Sequence, residues 1–268
     1  LLCGGESVIH NCPDISDIKA ARDILEFLGC SVKRHEGTLV VDSSGFNCRE
    51  VPEKLMREMR SSIIFLGALA AKCGSAFLSL PGGCELGPRP IDIHIRALEK
   101  MGMTILQKNG RLDCFCEKGL EGCDILLPFP SVGATENIML AAVYTPGVTR
   151  IVNAAKEPEI EDLQNFLNRA GAKIYGAGGS EIYIEGVPAL HGVHHRVMPD
   201  RIVGATYLMA AAITRGDVTL RGVVPEHLDA IVSVLEECGC QISQPAEGEL
   251  RLCCRERIGA ADKVRTSP

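Results

Sequence analysis

In the stretch Leu80-Pro81-Gly82-Gly83-Cys84-Glu85-Leu86-Gly87-Pro88-Arg89-Pro90, a cysteine sits in a loop built around three glycines and three prolines. Such a loop offers a thiol little core to fill, so Cys84 reads as a residue kept for its sulfur chemistry, as nucleophile or proton donor. Gly82 and Gly83 let the backbone take positive φ and approach a ligand closely. Arg89, five residues on, supplies a cation that lowers a thiol pKa from about 8.5 and a planar fork that suits phosphate or carboxylate. The plainer reading is a turn with an incidental cysteine.

Two more loop-to-helix segments suit an anion. "MREMRSS" places Arg57, Arg60, Ser61 and Ser62 at the start of a helix, where backbone N–H groups and the helix dipole favour phosphate. A solvated basic turn with a serine cap is the alternative. "FPSVGATENIML" places Ser131, Gly133, Ala134 and Thr135 at a small-residue helix N-terminus open to a ligand. Its alternative is an ordinary N-cap with Glu136 in the first turn. By spacing, these segments describe an anion-binding enzyme that uses a cysteine.

The elements that must hold these loops recur along the chain. "DIKAARDILEFLGCSV" from Asp17, "DIHIRALEKMGMTI" from Asp92, "DLQNFLNRAGAKI" from Asp162 and "LDAIVSVLEECGCQI" from Leu228 each carry an Asp, apolar residues at helical spacing, a Leu and a Gly four residues later. The pairs are Leu25 with Gly29, Leu98 with Gly102, Leu167 with Gly171 and Leu235 with Gly239. Each reads as an amphipathic helix opened by an acid and closed by a C′ glycine. Short strands follow: "TLVVD", "RLDCFC", "EIYIEG" and "ELRLCC". A second helix type, rich in small and apolar residues, lies between these units in "SSIIFLGALAAKCG", "GATENIMLAAVYTPG" and "DRIVGATYLMAAAITRGD". The repeating unit is therefore helix, strand, helix, strand, strand. Its first copy lacks the small-residue helix, and the chain reads as cut at both ends.

Composition narrows the class. The 268 residues suffice for one large domain or two ordinary ones, and no apolar run approaches the roughly 18 residues of a membrane span. No secretory signal is visible. A net charge of −6 argues against nucleic acid as the main partner. Thirteen cysteines scattered through apolar segments fit a reduced protein that uses cysteine as a small hydrophobe. Cys30 and Cys240 fill the slot that Met103 and Ala172 occupy elsewhere, which makes them core residues. Cys114-Phe115-Cys116 and Cys253-Cys254 lack C-x₂-C spacing with a matching second pair, so neither reads as a metal site. A composition shift at "GVPALHGVHHRVMPDR" marks a boundary between a first domain, 1–190, and a partial second domain, 201–268, joined by a linker at 191–200. His191, His194 and His195 read as solvated linker residues, since no carboxylate or cysteine at ligand spacing completes a site.

"LPGGCELGPRPIDIHI", "SVGATENIMLAA", "EPEIEDLQNFLNRAGAKI" and "MPDRIVGATYLMAAAITRGD" together resemble the UDP-N-acetylglucosamine enolpyruvyl transferases, over essentially the whole chain and in order. The resemblance implies an α/β fold, an inverted α/β barrel of βαβαββ units in two domains, of which the second is incomplete here. It implies transfer of the enolpyruvyl group of phosphoenolpyruvate to the 3′-hydroxyl of UDP-N-acetylglucosamine with release of phosphate, the first committed step of peptidoglycan synthesis, in the bacterial cytoplasm. Neither a cofactor nor a metal is called for, nucleic acid and membrane insertion are not, and a monomer is expected.

Carried over by motif, Cys84 is the proton donor to the enol carbon and the thiol that fosfomycin alkylates. Arg60 and Arg89 meet anionic groups of the substrates. Pro90, Ile91, Asp92 and Ile93 form the nucleotide-sugar segment, with His94 beside it. Phe129, Pro130, Ser131, Val132 and Gly133 form the loop on the diphosphate side. Some family members carry a Lys two residues before that serine, where this chain has Phe129. The family's Lys-Asn pair for phosphoenolpyruvate would precede Leu1 and its catalytic aspartate would follow Pro268, so turnover by these 268 residues alone is not expected. The nearest rival is the shikimate-pathway enolpyruvyl transferase, against which the Cys84 loop and "SVGATENIM" argue. A rival of another class is a non-catalytic scaffold that keeps only the fold.

Overall fold

A computed structural model of the chain describes residues 1–47, 50–82 and 90–264. These fall into two compact units, Leu1–Val197 and Met198–Pro268. The first holds three copies of one arrangement. The first copy comprises β1 (Cys3–Gly4), β2 (Glu6–His10), α1 (Ser16–Phe27), β3 (Ser31–His35) and β4 (Thr38–Asp42). The second comprises α2 (Glu53–Met56), a 3₁₀ turn at Arg60–Ile64 that runs into α3 (Phe65–Cys73), β5 (Ser75–Ser79), α4 (Asp92–Lys100), β6 (Thr104–Lys108) and β7 (Arg111–Phe115). The third comprises β8 (Asp124–Leu126), α5 (Val132–Ala142), β9 (Val148–Val152), α6 (Pro158–Arg169), β10 (Lys173–Tyr175) and β11 (Glu181–Glu185). Two short strands, β12 (Leu190–His191) and β13 (His194–Arg196), end the unit.

The amphipathic helices end alike because their sequences demand it. Gly29, Gly102 and Gly171 all sit at positive φ, between 89° and 104°, which an L side chain resists. The N–H of the residue after each glycine then reaches back to the carbonyl of the repeated leucine: Cys30 to Leu25, Met103 to Leu98, and Ala172 to Leu167. This is the Schellman closure, and it explains why Leu and Gly are always four residues apart. It also points the next side chain into the core, where Cys30, Met103 and Ala172 are all buried. In the third copy the repeated acid, Asp162, lies a turn inside α6, and Glu159 and Glu161 occupy the first turn instead.

The sheets repeat as well. The third copy has strand order β10-β11-β9-β8, with β8 parallel to β9 and the rest antiparallel. The first has order β13-β2-β4-β3, again with an edge strand, β13, parallel to its neighbour. In the second, β5-β7-β6 gains a parallel bridge from Val51 to Leu78 at the same edge. So β13 comes from the far end of the unit to take the place in the first copy that β8 takes in the third.

This corrects the reading of 191–200 as a solvated linker. Residues up to Val197 belong to the first unit, because β12 and β13 pair with β1 and β2 and Val197 donates to the His10 carbonyl. His195 is 4% exposed, edge-on to Phe166 with its Nε2 3.0 Å from Asp162 Oδ2. His191 and His194 remain exposed.

The buried helices of this unit are α3 and α5. Both are apolar nearly all round, as a helix buried on every side must be. Leu66, Gly67, Ala68, Leu69 and Ala70 of α3 are buried, as are Ala134, Thr135, Asn137, Ile138, Met139, Ala141 and Ala142 of α5. The helices touch closely at Gly67, where any Cβ would stand 2.2 Å from the Asn137 carbonyl oxygen. Among the described residues the first copy has no such helix, and a cavity of about 410 Å³ lies against Leu2, Ile18, Ile64, Phe65, Leu140 and Phe166.

The second unit is smaller and repeats the pattern: α7 (Arg201–Ile213), β14 (Asp217–Arg221), a 3₁₀ turn at Pro225–Leu228, α8 (Asp229–Glu237), β15 (Gln241–Ser243) and β16 (Glu249–Cys253). Its sheet order, β14-β16-β15, matches β9-β11-β10. Gly239 closes α8 as its counterparts do, with φ 97° and a bond from Cys240 N–H to the Leu235 carbonyl. Its core contains Leu208, Ala212, Leu228, Leu235, Cys240, Leu250, Leu252 and Cys254.

Candidate functional site

The second and third copies of the first unit place most of the sequence-predicted residues together. Arg60 opens the 3₁₀ turn before α3. Pro90 and Ile91 lead into α4, whose first residue is Asp92. Arg60, Pro90, Ile91 and Asp92 all line one cavity of about 310 Å³, with Leu80, Pro81 and Gln107 completing much of its wall. Arg57, the other arginine of "MREMRSS", is instead exposed and pairs with Glu53 at 2.8 Å. Ser62 is buried and donates to the Met56 carbonyl, so it braces the turn, while Ser61 is exposed. The segment starts a 3₁₀ turn rather than an α-helix, which removes the helix N-terminus expected as an anion cradle.

Within the Pro90–His94 segment the side chains divide. Ile91 is a core residue as well as a wall of the cavity, and Ile93 packs on the core. Asp92 pairs with Arg96 at 3.5 Å, one turn along α4. His94 is 7% exposed and lies under the start of α5: a Cβ on Gly133 would stand 3.0 Å from its Cε1 and 3.4 Å from its Nε2. Burial first, and then the charge of Arg60, lowers the His94 pKa to about 4, with Asp92 opposing. The ring is therefore a neutral imidazole at physiological pH.

The loop before α5 folds locally as its sequence suggests. Ser131 caps the helix, its Oγ accepting from Ala134 N–H and its carbonyl from Thr135 N–H. Ser131 N–H donates to the Phe129 carbonyl, a tight turn that brings Pro130 to the surface of the unit and leaves Phe129 64% exposed. Val132 and Gly133, the first two residues of α5, put the positive end of its dipole beside His94. His94 thus lies beside Gly133 at the start of α5 and feels the charge of Arg60, which lines the cavity with Pro90–Asp92. Cys84 and Arg89, the two residues that opened the sequence reading, lie outside the described residues.

Asn137 escaped the sequence reading, and Glu136 figured in it only as a first-turn residue of an ordinary cap, whereas the first turn of α5 holds no acid. Asn137, wholly buried on α5, bonds at once to α4, α3 and the 3₁₀ turn. Glu136, beside it, has its carboxyl pushed up to about 7 by burial and then by the charges of Glu159 and Glu157. The signal for both was "TEN" inside the otherwise apolar run "GATENIMLAAV": a polar pair in a buried helix must have partners.

The described cysteines are free thiols. Burial raises the pKa of Cys3, Cys12, Cys30 and Cys123, carries Cys114 to about 12, and is the first cause at Cys240, which reaches about 11. These are packing residues with little thiolate. No helix among the described residues is long and apolar enough to cross a membrane.

The chain is similar to known proteins along its whole length. UDP-N-acetylglucosamine 1-carboxyvinyltransferase 2 of Caldanaerobacter subterraneus subsp. tengcongensis is 48% identical over 270 residues, covering 100% of this chain and 64% of that protein. UDP-N-acetylglucosamine 1-carboxyvinyltransferase 1 of Symbiobacterium thermophilum is 49% identical over 273 residues, covering 100% of this chain and 62% of that protein. The chain therefore spans a little under two thirds of the length of these relatives. Among solved structures, the enolpyruvyl transferase NikO from Streptomyces tendae superposes with a TM-score of 0.82 at 23% identity, over 94% of this chain and 60% of that one. The EPSP synthase of Acinetobacter baumannii superposes with a TM-score of 0.70 at 21% identity, over 95% and 60%. These two likenesses establish the fold, an enolpyruvyl transferase architecture. The family model for EPSP synthase (3-phosphoshikimate 1-carboxyvinyltransferase) matches residues 1–264, and the chain accordingly belongs to the EPSP synthase family of enolpyruvyl transferases.

Proposed function

We propose that the protein acts in the transfer of the enolpyruvyl group from phosphoenolpyruvate to the 3′-hydroxyl of UDP-N-acetylglucosamine. The observation that carries this reading is the 48–49% identity, across all of this chain, to two proteins that bear the name of that activity. In the reaction a proton adds to C3 of the enol while the sugar oxygen bonds to C2 and its own proton leaves. The resulting tetrahedral ketal then loses the C3 proton and the C2–O bond to phosphate breaks.

The residues suit those steps. Arg60, on the wall of a cavity with Pro90, Ile91 and Asp92, holds an anionic oxygen with a planar fork. The start of α5, capped by Ser131 and flanked by the neutral His94, offers donors and a dipole to a diphosphate. Cys84 gives the proton to C3, in keeping with its place in a Gly-rich loop. Phe129 contributes the exposed rim of the loop and no charge.

The rival substrate, shikimate 3-phosphate, is the one named in the description of the matching family, and the Acinetobacter EPSP synthase shares the fold. The 48–49% identity to the nucleotide-sugar transferases, against 21% there, supports the latter. Calorimetric titration of the protein with each ligand is the test. Saturable binding of UDP-N-acetylglucosamine, weakened in Arg60→Ala, supports the proposal; saturation by shikimate 3-phosphate with no heat from the nucleotide sugar overturns it. Fosfomycin should add to Cys84, whose Gly-rich loop also carries Arg89, and not to Cys3, Cys30 or Cys114, whose thiols burial holds in the unreactive form. An adduct mapped by mass spectrometry to another cysteine would remove Cys84 from its role.

A further inference from the structure

Asn137 has its side chain fully engaged in the interior of the first unit. Its Nδ2 donates to the Ile63 carbonyl at 3.1 Å and lies 2.7 Å from His94 Nδ1, while its Oδ1 accepts the Gly67 N–H at 2.7 Å. Two of these partners are backbone groups with no choice of role: a carbonyl can only accept and an N–H can only donate. Turning the amide over would set Oδ1 against the Ile63 carbonyl and Nδ2 against the Gly67 N–H. The amide orientation is thus dictated by the 3₁₀ turn and α3, not by the histidine. With Nδ2 presenting a hydrogen to the ring, His94 Nδ1 must offer its lone pair, and the proton of the neutral imidazole must sit on Nε2.

Nε2 is the nitrogen beside Gly133, the second residue of α5. A glycine there leaves the Nε2–H uncovered by any Cβ, and the loop from Ser131 to Gly133 stands next to it. We propose that Asn137 is a positioning residue that locks His94 as the Nε2–H tautomer, so that it donates a hydrogen bond to an anionic oxygen of the ligand held by the Ser131–Gly133 loop. This rests on the proposed function for the identity of that ligand, a nucleoside diphosphate sugar, and not for the tautomer. The same geometry disfavours the imidazolium, because a second proton on Nδ1 would face the Nδ2 hydrogen. The ring then stays a donor of one defined direction throughout the physiological range, at no change of charge.

The test is ¹⁵N NMR of protein labelled at its seven histidines, with the His94 signals assigned by their loss in His94→Gln. In the unsubstituted protein His94 should show the neutral Nε2–H pattern from pH 5.5 to 8, and its Nε2 signal should move when UDP-N-acetylglucosamine is added. An Nδ1–H pattern, or a ring that titrates near its ordinary value of about 6.5, overturns the assignment whatever the ligand does. A correct tautomer whose Nε2 signal is unmoved by a nucleotide sugar that binds elsewhere on the protein overturns the donor role. A correct tautomer with no binding at all, and binding of shikimate 3-phosphate instead, overturns the proposed substrate and leaves the Asn137 lock standing. Asn137→Ser, whose hydroxyl can donate or accept, should yield a mixture of tautomers in the spectrum and about twofold weaker nucleotide-sugar binding, because only the fraction of rings that carries the proton on Nε2 can donate. Should that variant fail to fold, the spectrum of the unsubstituted protein still decides.

Discussion

α5 and α7 are written almost alike: "VGATENIMLAA" in one, "RIVGATYLMAAAI" in the other, each with a Gly-Ala-Thr near its start and a polar cap before it. Their surroundings differ. Along α5, Thr135 is wholly buried, its Oγ1 donating to the Ser131 carbonyl and accepting from Ala155 N–H. Along α7, the equivalent Thr206 is exposed and donates back to the Ile202 carbonyl. Ile138 and Met139 are 0% exposed, whereas Ile202, Tyr207 and Ile213 are between 60% and 73% exposed. The difference teaches that a small-residue apolar helix is a component waiting for neighbours. In the first unit α3 and α4 supply them and convert the polar residues of α5 into a wired site. In the second unit, among the described residues, one face of α7 packs on Leu220 and Leu228 through Gly204 and the opposite face meets none of that unit's core.

The comparison breaks most sharply at paired truncations. Ile138→Ala should cost about 2–5 kcal/mol, the range for emptying a buried aliphatic site. Ile213→Ala should stay within about 0.5 kcal/mol, as for a surface change. Denaturant titration of both variants measures the contrast, and equal losses would mean that the exposed face of α7 is covered in solution.

Glu136 should reveal itself through pH. Its folded pKa of about 7 lies above the ordinary 4.5, so the folded state holds the proton more tightly than the unfolded one. Its contribution is therefore most favourable below pH 4.5 and is lost as pH rises toward 7. Glu136→Gln should match the parent at low pH and be more stable above pH 7, by up to about 3 kcal/mol. Parallel melting curves for the two across that window would show that the carboxyl is solvated.

The close approach of α3 to α5 is a smaller lever. Gly67→Ala would drive a Cβ to 2.2 Å from the Asn137 carbonyl oxygen, and a loss of about 1–3 kcal/mol is expected. Gly204→Ala in α7 meets Leu228 at an ordinary 3.5 Å and replaces a poor helix former, so a gain of up to about 1 kcal/mol is expected. A destabilised Gly204→Ala would place an additional neighbour against α7.

The caps carry the smallest effects. Asp200 accepts from both Ile202 and Val203 N–H at the start of α7, and Asp200→Ala should cost about 1 kcal/mol. Ser131→Ala should cost a similar amount of stability. In addition it should weaken nucleotide-sugar binding, which Asp200→Ala should leave alone if only α5 faces the ligand.

Much of the architecture was legible along the chain because it depends on local chemistry. Four Leu-x₃-Gly endings announced four Schellman closures, since a positive-φ glycine and a back-reaching N–H are matters of one helix turn. Cys30 and Cys240 could be placed in the core by the same register. Arg60, Pro90–His94 and Ser131–Gly133 stood out because arginine, a proline-bounded segment and a capped small-residue helix are patterns within a dozen residues. What only the tertiary structure decided concerns partners far apart in sequence. The histidines at 194 and 195 looked like one solvated cluster, yet pairing of β13 with β2 sends one outward and buries the other against Asp162. Asn137 is a hydrogen-bond hub because α3, α4 and the 3₁₀ turn converge on it from 43 to 74 residues away. A sequence shows that a buried amide needs partners, but a hydrogen bond is directional, and its direction exists only once those elements have been packed.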